Sequence, residues 1–159
     1  MEIDPNFREF IQSLNEAGVN YLVIGGFAVN FHGYPRYTKD IDFWIRLDDD
    51  NIGRLMQAIQ RFGFGALGLT HDDFNDPDTI VQLGYEPYRI DLLLDVAGVE
   101  FTDCYSRRTV TELEGTPINF LSRRDLIKAK QAAGRLQDLA DAEQLERLDR
   151  DANEQNGDK

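Results

Sequence analysis

The segment Tyr37-Thr-Lys-Asp-Ile-Asp-Phe-Trp-Ile45 constrains this chain more than any other, because it reads as a buried strand and still carries two carboxylates. An unpaired buried carboxylate is expensive, and two together need a physical reason. Side chains alternate faces along a strand, so Ile41, Phe43 and Ile45 point one way while Asp40, Asp42 and Trp44 point the other. The two acids then share a face, roughly 7 Å apart by strand rise. Their repulsion would raise one pKa unless a cation intervenes, and hard oxygen ligands of this kind suit Mg²⁺ or Mn²⁺. For Asp-x-Asp alone, an exposed acidic sheet edge is the plainer explanation.

Three further features bear on the choice. Asp91 lies inside Tyr88-Arg-Ile-Asp-Leu-Leu-Leu94, a second apolar strand with no ordinary use for a carboxylate. A third acid on a neighbouring strand would complete a two-metal cluster. Gly25-Gly26 joins a strand to a short helix, where exposed amides can cradle a phosphate, although a plain tight turn has the same signature. Lys128, Lys130 and Arg135 offer cations for a polyphosphate.

The remaining pattern alternates helices and strands. Phe7, Phe10, Ile11 and Leu14 recur at helical spacing from Pro5 to Glu16, and Gly18 ends the helix. Asn20 to Ile24 is a strand, Phe27 to His32 a short helix, and Tyr37 to Ile45 the second strand. Asp50 caps a helix through Gln60 that Gly63 stops. From Phe64 to Pro77 the reading is a loop with at most one short strand. Thr79 to Leu83 and Tyr88 to Leu94 form a hairpin about Gly84-Tyr-Glu-Pro87, and Phe101 to Ser106 a helical turn. A second strand pair, Thr109 to Leu113 and Thr116 to Leu121, flanks Glu114-Gly115. Ser122 caps a helix to Ala133, Gly134 terminates it, and a last helix starts at Asp138. The expected fold is an α/β or α+β domain with a mixed sheet flanked by helices: one domain over 1–150 and a polar flexible tail over 151–159.

Bulk properties narrow the class. Of 159 residues, 42% are hydrophobic and 29% charged, so neither disorder nor a membrane protein is the default. No apolar run is long enough to span a bilayer, the start lacks a secretory signal, and a single cysteine agrees with a reducing compartment, so the cytoplasm is expected. With 17 Lys and Arg against 29 Asp and Glu, a net charge of −12 weighs against extended non-specific contact with nucleic-acid backbone. It leaves room for local basic sites, such as Arg123-Arg124 with Lys128, Lys130 and Arg135.

The order Gly25-Gly26, then Arg36-Tyr-Thr-Lys-Asp-Ile-Asp42, then Arg89-Ile-Asp91 resembles the nucleotidyltransferase superfamily with the DNA polymerase β-like fold. The stretch from Leu121 to Asp141 is similar to small bacterial members related to abortive-infection-type toxin nucleotidyltransferases. Gly26 stands where many active members carry serine. The resemblance implies that Asp40 and Asp42 hold the catalytic metals, Mg²⁺ or Mn²⁺, with Asp91 as third ligand and base for an acceptor hydroxyl. It implies that Gly25 and Gly26 contact the triphosphate and that Lys128 neutralises it, with Lys130 and Arg135 as further candidates. Arg36 and Lys39 are read as charge balance, Trp44 as packing, His32 and His71 as structural or surface residues, and Asp138 and Asp141 as cap and ion-pair partner.

The activity so implied moves a nucleoside monophosphate from a nucleoside triphosphate to an acceptor, with pyrophosphate leaving. RNA 3′ ends, proteins and small hydroxylated molecules all stay open as acceptors. The alternative is a catalytically silent nucleotide-binding or partner-binding module, half of a toxin–antitoxin pair.

Overall fold

The computed structural model describes residues 2–64, 68–85 and 87–157. Six strands form one mixed sheet in the order β3-β4-β2-β1-β6-β5, where β1 is Tyr21–Ile24, β2 Asp40–Ile45, β3 Ile80–Leu83, β4 Arg89–Leu93, β5 Thr109–Leu113 and β6 Thr116–Phe120. The pairs β1–β2, β3–β4 and β5–β6 are antiparallel, whereas β1–β6 and β2–β4 are parallel. Central β1 is buried at every position, as a strand covered on both faces must be.

Helix α1 (Pro5–Glu16) starts at an Asp4 cap whose carboxylate accepts from the Asn6 amide, and it buries Phe7, Phe10, Ile11 and Leu14. Phe10 packs edge-to-face with Phe62 and with Phe43, ring centroids 5.3 and 5.4 Å away, and Tyr21 closes on Phe43 from β1 at 5.7 Å. This side of the sheet is therefore an aromatic core that uses the Ile41-Phe43-Ile45 face of β2. Helix α3 (Asp49–Ile59) begins two residues before the sequence reading, at an Asp48 cap and not Asp50, with the Asp48 carboxylate accepting from the Asn51 amide. It continues into an irregular turn, Gln60–Phe64, that Gly63 breaks at φ 106°.

The expected loop after Phe64 holds a 3₁₀ turn, His71–Phe74, that buries Phe74. Gly65, Ala66 and Leu67 of that loop, and Glu86 of the β3–β4 turn, lie outside the described residues. Helix α2 (Gly25–Phe31) starts two residues earlier than Phe27, directly on the glycine pair. Helix α4 (Phe101–Ser106) has Glu100 as its cap, and α5 (Arg123–Ala133) runs from the Ser122 cap to Gly134 at φ 73°. The last helix, α6, spans Leu136–Gly157, so most of the polar stretch read as a tail is helical; residues 158–159 lie outside the described ones. Among the described residues no helix is long and apolar enough to cross a membrane.

Candidate active site

Parallel pairing of β2 with β4 puts Asp40 beside Arg89 and Asp42 beside Asp91. Since alternate residues share a face, these four side chains form a square on one surface of the sheet. Asp40, Asp42 and Asp91 each offer a carboxylate oxygen, and those oxygens lie within 4.8 Å of one another. The three acids that sequence reasoning joined are thus brought together. All-oxygen, anionic donors at this separation fit a hard divalent cation.

Arg89 is the participant that sequence reasoning passed over. Its Nη2 donates to Asp40 Oδ2 at 2.7 Å and to Asp91 Oδ2 at 3.2 Å, and its Nε donates to Asp91 Oδ1 at 3.1 Å. The signal was present in Arg89-Ile-Asp91, whose two-residue spacing puts Arg89 on the acidic face. Among the described residues no cation is bonded to Asp42 in this way: burial, with the charges of Asp40 and Asp91 beside it, pushes its pKa up to about 7, against the opposing pull of Lys130.

Two chambers open from this square. A polar one of about 410 Å³ is lined by Gly25, Gly26, Arg36, Lys39, Lys130 and Arg135 together with Asp40 and Asp42. An apolar one of about 330 Å³ lies against Asp42 and Asp91 and is walled largely by Leu93, Val96, Leu121, Leu126 and Ala129. Gly25, Lys130 and Arg135 border both. Lys128 is exposed and lines neither, because two residues along α5 turn it away from Lys130.

The cations are anchored by acids of α6. Lys130 Nζ lies 3.2 Å from Asp138 Oδ1 and 3.3 Å from Asp141 Oδ2. Arg135 binds Asp138 at 2.7 Å, and Arg36 binds Asp141 at 2.5 Å. Arg36 therefore balances a helix acid and not the strand acids it precedes. Asp138 falls inside α6 as an ion-pair partner, not at its cap. Trp44 packs edge-on against Phe101, with ring centroids 5.1 Å apart. The ring of His32, buried and with its pKa lowered by that burial, donates to the Leu121 carbonyl at 2.7 Å, and His71 sits at the surface beside Asp49.

The two glycines differ. Gly25 takes φ +71°, and a Cβ there would fall 2.1 Å from Asp42 Oδ2, whereas a Cβ on Gly26 would meet Thr38 at an ordinary 3.5 Å. The fold itself thus excludes a side chain at Gly25 and accommodates a Cβ at Gly26.

A mixed six-stranded sheet with flanking and C-terminal helices is a nucleotidyltransferase-like fold. The chain matches the crystal structure of an antigenic nucleotidyltransferase-like protein from Paracoccidioides brasiliensis with a TM-score of 0.51 and 16% sequence identity, over 89% of this chain and 72% of that one. At that identity the likeness speaks for the fold alone. The family described as nucleotidyl transferase of unknown function (DUF2204) matches residues 5–158, and the chain belongs to that enzyme family. No curated protein matches the sequence.

Proposed function

We propose that this protein transfers a nucleoside monophosphate from a nucleoside triphosphate to an acceptor hydroxyl and releases pyrophosphate, in a reaction that depends on Mg²⁺ or Mn²⁺. The observation that carries the reading is the meeting of Asp40, Asp42 and Asp91, the first two of which line a chamber bordered by Arg36, Lys39, Lys130 and Arg135. A divalent cation held by the three carboxylates would supply neutralisation of charge on the transferring phosphoryl group. The chain's own part is positioning. Backbone at Gly25-Gly26 gives the triphosphate close approach, Lys130 and Arg135 offset its charge, and Asp91 takes the acceptor's proton. Lys128 acts, on this reading, only through long-range charge.

Residues 1–150 are read as the catalytic unit, supported by a sheet that runs unbroken from β3 to β5. The likeness of Leu121–Asp141 to toxin-type members extends the proposal to an antitoxin-like partner protein. The direct test is incubation with each α-labelled nucleoside triphosphate, Mg²⁺ or Mn²⁺ and a cell extract. Metal-dependent label in an acceptor, lost in Asp42→Asn, is the expected result; metal-independent label or none overturns it.

A further inference from the structure

We infer that the acceptor is a small, phosphate-free molecule bearing a hydroxyl on an apolar frame, and that it occupies the apolar chamber beside Asp91; this rests on the nucleotidyltransferase reading above. What each chamber holds apart from the other decides the assignment. The polar chamber alone has the cations Arg36 and Lys39, and of the acids it alone borders Asp40. The apolar chamber alone has Asp91 and Asp95, two acids and no cation, and the rest of its private wall is apolar, with Leu93, Leu126 and Ala129 among it.

A polyphosphate suits the first and is repelled by the second. A nucleic-acid 3′ end carries a phosphate at every step, so threading it past Asp91, whose charge Arg89 shares with Asp40, and the exposed Asp95 would set phosphates against carboxylates. A molecule with an apolar frame meets no such penalty. The volume, about 330 Å³, lies at the lower end of the roughly 300–1,000 Å³ typical of small-molecule sites.

The reaction balances without any further reagent. The acceptor oxygen, on the Asp91 side, forms a bond to the α-phosphorus as the bond from that phosphorus to the α,β-bridging oxygen breaks. The electron pair leaves with pyrophosphate, and the hydroxyl proton passes to the Asp91 carboxylate and then to water. Nothing is oxidised or reduced.

The test offers the full chain a mixture of the four α-labelled nucleoside triphosphates with Mg²⁺ and one of three pools: total RNA, total protein, or a low-mass extract cleared of phosphorylated compounds by anion exchange. Label should enter the third pool. Ala129→Phe, which fills the chamber, and Ile80→Glu, at a rim position already 53% exposed and so safe for the fold, should each cut that transfer about tenfold or more. Calorimetric affinity for Mg²⁺-nucleotide should stay unchanged in both. Label on RNA or protein, transfer indifferent to both variants, or no labelled pool when the whole extract does take label overturns the acceptor assignment alone; no label even with the whole extract overturns the nucleotidyltransferase reading. A native chain that binds no Mg²⁺-nucleotide overturns the nucleotidyltransferase reading, and the assignment falls with it.

Discussion

Gly25 and Asp42 occupy mutually exclusive space with any side chain at residue 25: a Cβ there would lie 2.1 Å from Asp42 Oδ2 and 2.9 Å from its Cγ. The positive φ of Gly25 adds a second demand for glycine. The turn and the acid on the neighbouring strand are thus a single steric unit.

Gly25→Ala should lower stability by about 1–3 kcal/mol through backbone strain alone. It should also displace Asp42 and weaken Mn²⁺ binding. Gly26→Ser, with ordinary contacts waiting for its Cβ, should stay within about 0.5 kcal/mol of the native chain. Urea unfolding and Mn²⁺ titration of both variants check the contrast, and equal behaviour of the two contradicts it.

Asp42 sets a pH dependence whose sign follows from its raised pKa. The carboxyl titrates near 7 in the folded chain and near 3.8 when unfolded, so the folded state disfavours its ionised form. Above about pH 7 this cost is fully present, and it is relieved as pH falls from 7 toward 4. In EDTA, the native chain should therefore lose stability from this group as pH rises from about 4 to about 7, and Asp42→Asn should flatten that slope while cutting metal-dependent transfer by on the order of a hundredfold or more. Melts across this range, paired with the labelling assay, measure both; a variant strongly destabilised at pH 8 would mark Asp42 as a structural acceptor.

Arg89 offsets Asp40 and Asp91 with three hydrogen bonds. Arg89→Gln should leave the metal-free chain less stable at pH 8 and enlarge the rise in melting temperature that Mn²⁺ produces, because the added cation then supplies all of the compensation. An identical Mn²⁺-induced rise in native and variant chains rejects this.

Lys130 and Lys128 separate cleanly. Lys130→Met removes a cation from two buried acids, Asp138 and Asp141, and should cost about 1–3 kcal/mol, reduced by the partners those acids keep in Arg135 and Arg36. It should also weaken nucleotide binding. Lys128→Met, at an exposed position facing neither chamber, should change stability by less than about 0.5 kcal/mol and leave binding intact. Calorimetry with Mg²⁺-ATP that shows Lys128 as the more sensitive position reverses the assignment.

Much of the site was legible because strand alternation is local and rigid. Two-residue spacing fixed which side of β2 holds Asp40 and Asp42, and an acid in an apolar strand marked Asp91. What pattern cannot carry is register between distant strands. The Asp40–Arg89 pairing, which sets one guanidinium among three carboxylates, exists only once β4 lies beside β2. Likewise Lys128 and Lys130 are equivalent as composition, and only the azimuth of α5 over the sheet distinguishes them. The early start of α2 escaped notice because a glycine pair weakens any helical signal. The helical course of α6 beyond Leu148 was hidden by polar residues that read equally well as a solvated tail.

The β2–β4 pairing also bears on when the protein becomes whole. The Asp40–Arg89 contact joins residues 49 apart, and such parallel, non-local pairings close late because loop entropy opposes them. A nascent chain emerging from the ribosome has no carboxylate cluster until β4 has followed β2 out and docked. Partial unfolding that frees β4 dissolves the cluster in one step. A divalent cation held there would act on the opening of the whole sheet and not on local fraying, slowing amide exchange in β2 and β4 while leaving the end of α6 untouched.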